Sequence, residues 1–236
     1  MARLLLLSNS TTFGRGYLDH AEAEIRALLA GVTRLLFVPD ALQDKAGYAA
    51  KVRERFEQLG VEVDSTHEAP HAMDPARAVE AAQAVFIGGG NTFRLLNAMY
   101  AQRLLEPLRA RVKSGMPYLG ASAGTNVATR SIQTTNDMPI VQPPSFEALA
   151  LVPFNVNPHY LDPAPDSTHM GETREQRLKE FHELNDAPVV ELREGTWLEV
   201  GDRSCRLGGL LHARLFRKGV APEEFPPGSD LGFLLC

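Results

Sequence analysis

The chain has 236 residues, 22% of them charged and 44% hydrophobic, with a formal net charge of −5. This is globular composition, which excludes collagenous, coiled-coil and disordered classes. A mildly acidic chain without a basic block also argues against sequence-independent nucleic-acid binding.

The first apolar run, Leu4 to Leu7, is too short for a signal-peptide core or a membrane span. Residues 3–8 and 34–38 read as buried strands. Between them, 17–30 reads as a helix with Leu18, Ala21, Ile25 and Leu28 on one stripe. A second helix is expected over 45–59, closed by Gly60. A short strand follows at 61–63, and then a helix over 75–82 with Pro75 at its start. Residues 84–87 read as a strand leading into Gly88-Gly89-Gly90-Asn91 and a helix carrying Leu95, Leu96 and Met99. Residues 103–114 are expected to be helical, 117–120 a strand and 123–129 a helix. The Pro- and Asn-rich stretch 134–165 reads as loops. A further helix is expected over 172–185, with Leu178, Phe181 and Leu184 as its apolar contacts. Short, antiparallel strands are expected at 189–192, 197–200 and within 204–219.

The alternation of strand and helix calls for a doubly wound, mostly parallel α/β sheet with helices on both faces and a small antiparallel addition near the C-terminus. No linker separates two units, so one domain over 1–236 is expected. Ligands of such sheets gather at the carboxyl ends of the strands, where both Gly-rich turns lie.

Gly120-Ala121-Ser122-Ala123-Gly124 matches G-x-S-x-G between an expected strand and an expected helix. A nucleophile on so sharp a turn needs small neighbours, and all four are Gly or Ala. Ser122 is the candidate nucleophile. The best of seven histidines for its base is His159, in Asn155-Val156-Asn157-Pro158-His159-Tyr160. His20 and His182 fall in helical patterns and read as solvated, His212 as structural, and His169 as an open candidate for binding. Two acids compete to orient His159. Asp137 lies in a polar loop, Glu194 in a tight turn, and spacing does not choose between them. The turn at 88–92 offers backbone N–H groups that could cradle a phosphate or stand beside the Ala123 amide as an oxyanion donor. Neither G-x-G-x-x-G nor the Walker-type phosphate loop occurs.

His67-Glu68-Ala69-Pro70-His71 spells H-E-x-x-H, but Pro70 between the histidines opposes the helix a zinc pair needs, so no metal is expected. Gly171-Glu172-Thr173-Arg174-Glu175-Gln176 opens a helix with a capping box from Thr173 to Gln176. Arg174 and Arg177 are three apart and share a face there, and one of them could grip an anionic substrate group. Two cysteines, Cys205 and Cys236, cannot build a disulfide scaffold, and the expected compartment is the cytoplasm.

These segments, with Thr134-Thr135-Asn136-Asp137-Met138-Pro139 and Leu192-Arg193-Glu194-Gly195, resemble the peptidase E family of α-aspartyl dipeptidases in order and spacing along nearly the whole chain. That family is related in fold to class I glutamine amidotransferases. The resemblance implies a serine peptidase that hydrolyses dipeptides with an N-terminal aspartate without a metal. No cofactor, nucleic-acid partner or membrane partner is expected, and the oligomeric state is left as monomer or homodimer. It implies Ser122 as nucleophile, His159 as base, and the Gly90 and Ala123 amides as oxyanion hole. Asp137 or Glu194 would be the third member, and Asn91, Arg174 and His169 are candidates for binding substrate. The rivals are an esterase of α/β-hydrolase type, a non-catalytic binder of nucleotides or acidic metabolites, and cleavage of β-linked aspartyl-arginine.

Overall fold

The computed structural model describes residues 3–162, 168 and 170–236. Candidate His169 lies outside the described residues. The strands are β1 (Leu4–Leu7), β2 (Arg34–Val38), β3 (Glu62–Ser65), β4 (Val85–Ile87), β5 (Tyr118–Ala121), β6 (Asn155–Pro158), β7 (Val189–Leu192), β8 (Thr196–Val200), β9 (Cys205–Gly209), β10 (Ala213–Phe216) and β11 (Glu223–Phe225). The helices are α1 (Glu22–Leu28), α2 (Lys45–Glu57), α3 (Pro75–Ala81), α4 (Thr92–Ala101), α5 (Leu105–Lys113), α6 (Ala123–Ala128) and α7 (Arg174–Leu184).

The main sheet runs β3-β2-β4-β5-β1-β8-β9. Its first five strands are parallel, and β8 and β9 are added antiparallel. Every residue of β1 is buried because both faces are covered. Leu4 and Leu6 face the core formed with α3, α4, α5 and α6, whereas Leu5 and Leu7 face the core formed with α1 and α2. The alternation of side chains along a strand thus splits one apolar run between two cores. A second sheet runs β11-β10-β7-β6.

The expected doubly wound architecture is observed, with local departures. The helix expected over 17–30 is a 3-10 turn at Asp19–Ala21 followed by α1, because Leu18 takes a left-handed backbone at φ 62°. Leu18, Ala21 and Ile25 still enter the core. β6 falls inside the stretch expected to be loops. Two asparagines and a proline do not read as a strand, but Asn155 and Asn157 are buried with their amides donating to the Ser131 and Thr134 carbonyls. β6 is also an edge strand with Pro158 at its end, where proline is tolerated. β6 pairs parallel with β7, so the late strands are not all antiparallel.

Leu184 is 90% exposed, and α7 instead buries Leu178 and His182. His182 is therefore not solvated, and neither are the ring nitrogens of His20, which sit buried near the Trp197 ring. The expected capping box at Thr173 and Gln176 is present. The H-E-x-x-H string forms a turn and a 3-10 segment rather than a helix, and its two histidines take different partners, although His67 Nε2 also lies 3.6 Å from Glu68. His67 bonds Ser65, Glu68 pairs with Arg53, and His71 stands 3.5 Å from Asp64.

Candidate active site

The elbow at Ser122 is built by backbone crowding. Ser122 adopts φ 52° and ψ −107°, a conformation that costs roughly 1–3 kcal/mol and persists only where neighbours enforce it. Its N–H donates to the Leu7 carbonyl at 3.1 Å, and the Thr125 hydroxyl donates to the same oxygen at 2.7 Å. Gly124 packs directly under β4. A Cβ there would stand 1.9 Å from the Ile87 carbonyl oxygen, and one on Gly120 would stand 2.7 Å from the Gly124 oxygen. Gly124→Ala is accordingly expected to lose about 3 kcal/mol of stability, read as a fall in Tm of roughly 10 °C in calorimetry.

His159 is delivered by the end of β6. It too has positive φ, at 55°, and its N–H donates to the Ser8 hydroxyl at 3.0 Å. That hydroxyl donates in turn to the Leu192 carbonyl at 2.8 Å, tying β1 of the main sheet to the second sheet. His159 Nε2 stands 3.0 Å from Ser122 Oγ, and Nδ1 stands 2.8 Å from Glu194 Oε1. A carboxylate only accepts, so it fixes the proton on Nδ1 and leaves Nε2 free to accept from the serine. Both side chains are about half exposed.

Ala123 is the first residue of α6, where the N–H has no acceptor within the helix. Gly89 faces the serine from the neighbouring turn, a Cβ on it standing 3.2 Å from the Ser122 Cβ, and Gly90 lines the same cleft. Gly90 has φ 137°, and a Cβ there would strike the Ala41 carbonyl at 2.5 Å. A cleft of about 490 Å³ opens over Ser122, His159 and this turn.

A sequence model of peptidase family S51 matches residues 4–208. The chain belongs to peptidase family S51. It is 58% identical over 233 residues to "Peptidase E" of Streptomyces coelicolor, covering 98% of this chain and 94% of that one. It is 52% identical over 235 residues to the "Probable alpha-aspartyl dipeptidase" of Drosophila melanogaster, covering 98% and 97%. Among solved structures, a peptidase from an acI-B1 Actinobacterium superposes with a TM-score of 0.74 at 17% identity, covering 98% of this chain and 96% of that one. That likeness concerns the fold.

In this S51 chain the two competing acids have different neighbours. Glu194 meets the His159 ring, whereas the Asp137 carboxylate accepts from the Thr92 N–H at 2.7 Å and the Thr135 hydroxyl at 3.2 Å. Asn91 is the N-cap of α4: its Oδ1 accepts from Arg94 N–H and its Nδ2 donates to the Met138 carbonyl. Arg174 is half-buried and donates to Asn136 Oδ1, next to Asp137. Burial, followed by the neighbouring Arg177, pushes its pKa down. Among the described residues no carboxylate is ion-paired with it, whereas Arg193 and Arg214 each hold acidic partners.

Two positions that hold this S51 site, and one buried acid of β7, escape sequence reasoning. Ser8 holds the His159 backbone, and Asn9 Oδ1 accepts from the Gly195 N–H at 2.8 Å, fixing the turn that carries Glu194. Their signal was a Ser-Asn pair directly after β1, at the strand end where ligands gather. Glu191 is fully buried beside Arg214 and Tyr160, and burial pushes its carboxyl up to about 9.

Proposed function

We propose that the chain is a serine-type dipeptidase that hydrolyses Asp-X dipeptides through an acyl-enzyme. The observation that carries this reading is the Ser122–His159–Glu194 array at the mouth of the parallel sheet. The names of the two relatives support the substrate class. Ser122 Oγ attacks the aspartyl carbonyl carbon while His159 Nε2 takes the hydroxyl proton. The Gly90 and Ala123 amides hold the resulting oxyanion. Collapse of the intermediate breaks the C–N bond, with His159 returning its proton to the leaving amine. Water, deprotonated by His159, then attacks the ester; the C–Oγ bond breaks, His159 returns the proton to Ser122 Oγ, and aspartate is released. Glu194 stabilises the imidazolium in both halves.

The aspartyl residue carries an ammonium and a carboxylate. Asp137 and Arg174, adjacent through Asn136, offer one group of each opposite sign. Asn91 contributes by holding the start of α4 rather than by a free amide. No metal or cofactor enters the scheme. Among the described residues no helix is long and apolar enough to cross a membrane. Free thiols at Cys205 and Cys236 fit the cytoplasmic location we favour.

The test is turnover of a panel of X-Leu dipeptides, X being Asp, Asn, Glu or Ala, beside a short aryl ester. Asp-Leu is expected to exceed Asn-Leu and Ala-Leu by at least ~100-fold in kcat/KM, since the other side chains leave Arg174 unpaired. Equal turnover of Ala-Leu or of the ester would exclude the aspartyl reading.

A further inference from the structure

The turn at 88–90 separates two clusters on opposite faces of the main sheet. On the α4 side, the Thr92 N–H binds Asp137, with Arg174 beyond. On the α2 side, the turn meets an aromatic pair. The Tyr48 hydroxyl lies so close that a Cβ on Gly88 would stand 2.1 Å from it. The Tyr17 hydroxyl is 3.5 Å from that of Tyr48, and Lys51 Nζ lies 4.3 Å from the centroid of the Tyr17 ring. Asp44, Gly47, Tyr48 and Lys51 recur at i, i+3, i+4 and i+7, so this stripe, α2 with its N-cap, faces the cleft that holds Ser122 and His159.

The charges on that face are distinctive. Lys45 is paired with Asp40, and the Asp44 carboxylate accepts from the Gly47 N–H at 2.9 Å. Lys51 has no carboxylate partner among the described residues. Burial raises the pKa of both Tyr17 and Tyr48, so neither phenol neutralises the ammonium. The α2 side therefore offers one ammonium without an ion-pair partner, set over an aromatic wall seven residues on from the Asp44 carboxylate, with Leu42 also lining the cleft.

An Asp-X dipeptide has two charges on its acyl half and one, the terminal carboxylate, on its leaving half. Asp137 and Arg174 match the former. We propose that Lys51 receives the C-terminal carboxylate of the leaving residue, with Tyr17, Tyr48 and Leu42 walling the pocket for its side chain. This rests on the Asp-X reading above. It also supplies a reason for selecting dipeptides, because a third residue would replace that carboxylate with a neutral amide.

The experiment compares Asp-Leu, Asp-Leu-amide and aspartyl p-nitroanilide with the wild type, Lys51→Met and Lys51→Arg. Wild type is expected to prefer Asp-Leu over its amide by about 10- to 100-fold in kcat/KM, mainly through KM. Lys51→Met should lose a similar factor on Asp-Leu, abolish the preference for acid over amide, and lose far less on the anilide. Lys51→Arg should restore most of the preference. A Lys51→Met variant that keeps the preference, or that loses the same factor on all three substrates, overturns the assignment while leaving the dipeptidase intact. Failure of the wild type to cleave any aspartyl substrate overturns both.

Discussion

Ser122→Ala is expected to lower kcat/KM for Asp-Leu by about 10⁴- to 10⁶-fold while leaving the fold and substrate affinity in place. The oxygen removed is the one that His159 Nε2 reaches at 3.0 Å, and among the described residues no second hydroxyl is bonded to that nitrogen. Alanine at 122 carries the same Cβ in the same φ 52° conformation, so the elbow is strained in the variant as in the wild type. The backbone amides of Gly90 and Ala123, the Asp137 carboxylate and Arg174 all remain. A titration should therefore find Asp-Leu bound within a few-fold of the wild-type KM, with residual turnover owed to the oxyanion donors alone. Activity within tenfold of wild type would remove Ser122 from the reaction.

The parts of this site that were legible in the sequence are those imposed locally. The elbow is readable because crowding against the Ile87 and Gly124 carbonyls admits only glycine at 124 and 120, and such a demand leaves a pattern five residues long. The parallel sheet is readable because strands covered on both faces become unbroken apolar runs, as at Leu4–Leu7. What the sequence left open depends on contacts between distant segments. β6 hides as a loop because its hydrogen-bonding asparagines are satisfied by carbonyls more than twenty residues away. Without β6 there is no register, and it is the parallel pairing of Pro158 with Leu192 that brings the next residues, His159 and the turn of Glu194, to the same end of the second sheet. The choice between Asp137 and Glu194 was thus a question about strand pairing, posed to a sequence that shows only spacing. Ser8 and Asn9 were hidden for the same reason, since their partners lie more than 150 residues away.

Those placements separate the two acids by kinetics. Glu194→Gln is expected to lower kcat by about 10²- to 10⁴-fold with KM changed only a few-fold. The amide is as long as the carboxylate, so packing is kept, but its charge is gone and its NH2 can donate to Nδ1. That would place the ring proton on Nε2, facing Ser122, where it blocks proton abstraction. The side chain is half exposed, so water competes for the ring and the loss should fall short of that seen where the orienting acid is buried. Asp137→Asn should behave differently. Asp137 holds the Thr92 N–H and lies beside the Asn136–Arg174 pair, away from the imidazole. Neutralising it removes the partner proposed for the substrate ammonium, so KM is expected to rise by about 10- to 100-fold with a smaller change in kcat. Saturation curves for Asp-Leu on the two variants decide the matter. A kcat collapse in Asp137→Asn with an unaffected Glu194→Gln would transfer the orienting role to Asp137, and would require the β6–β7 end of the molecule to rearrange when substrate binds.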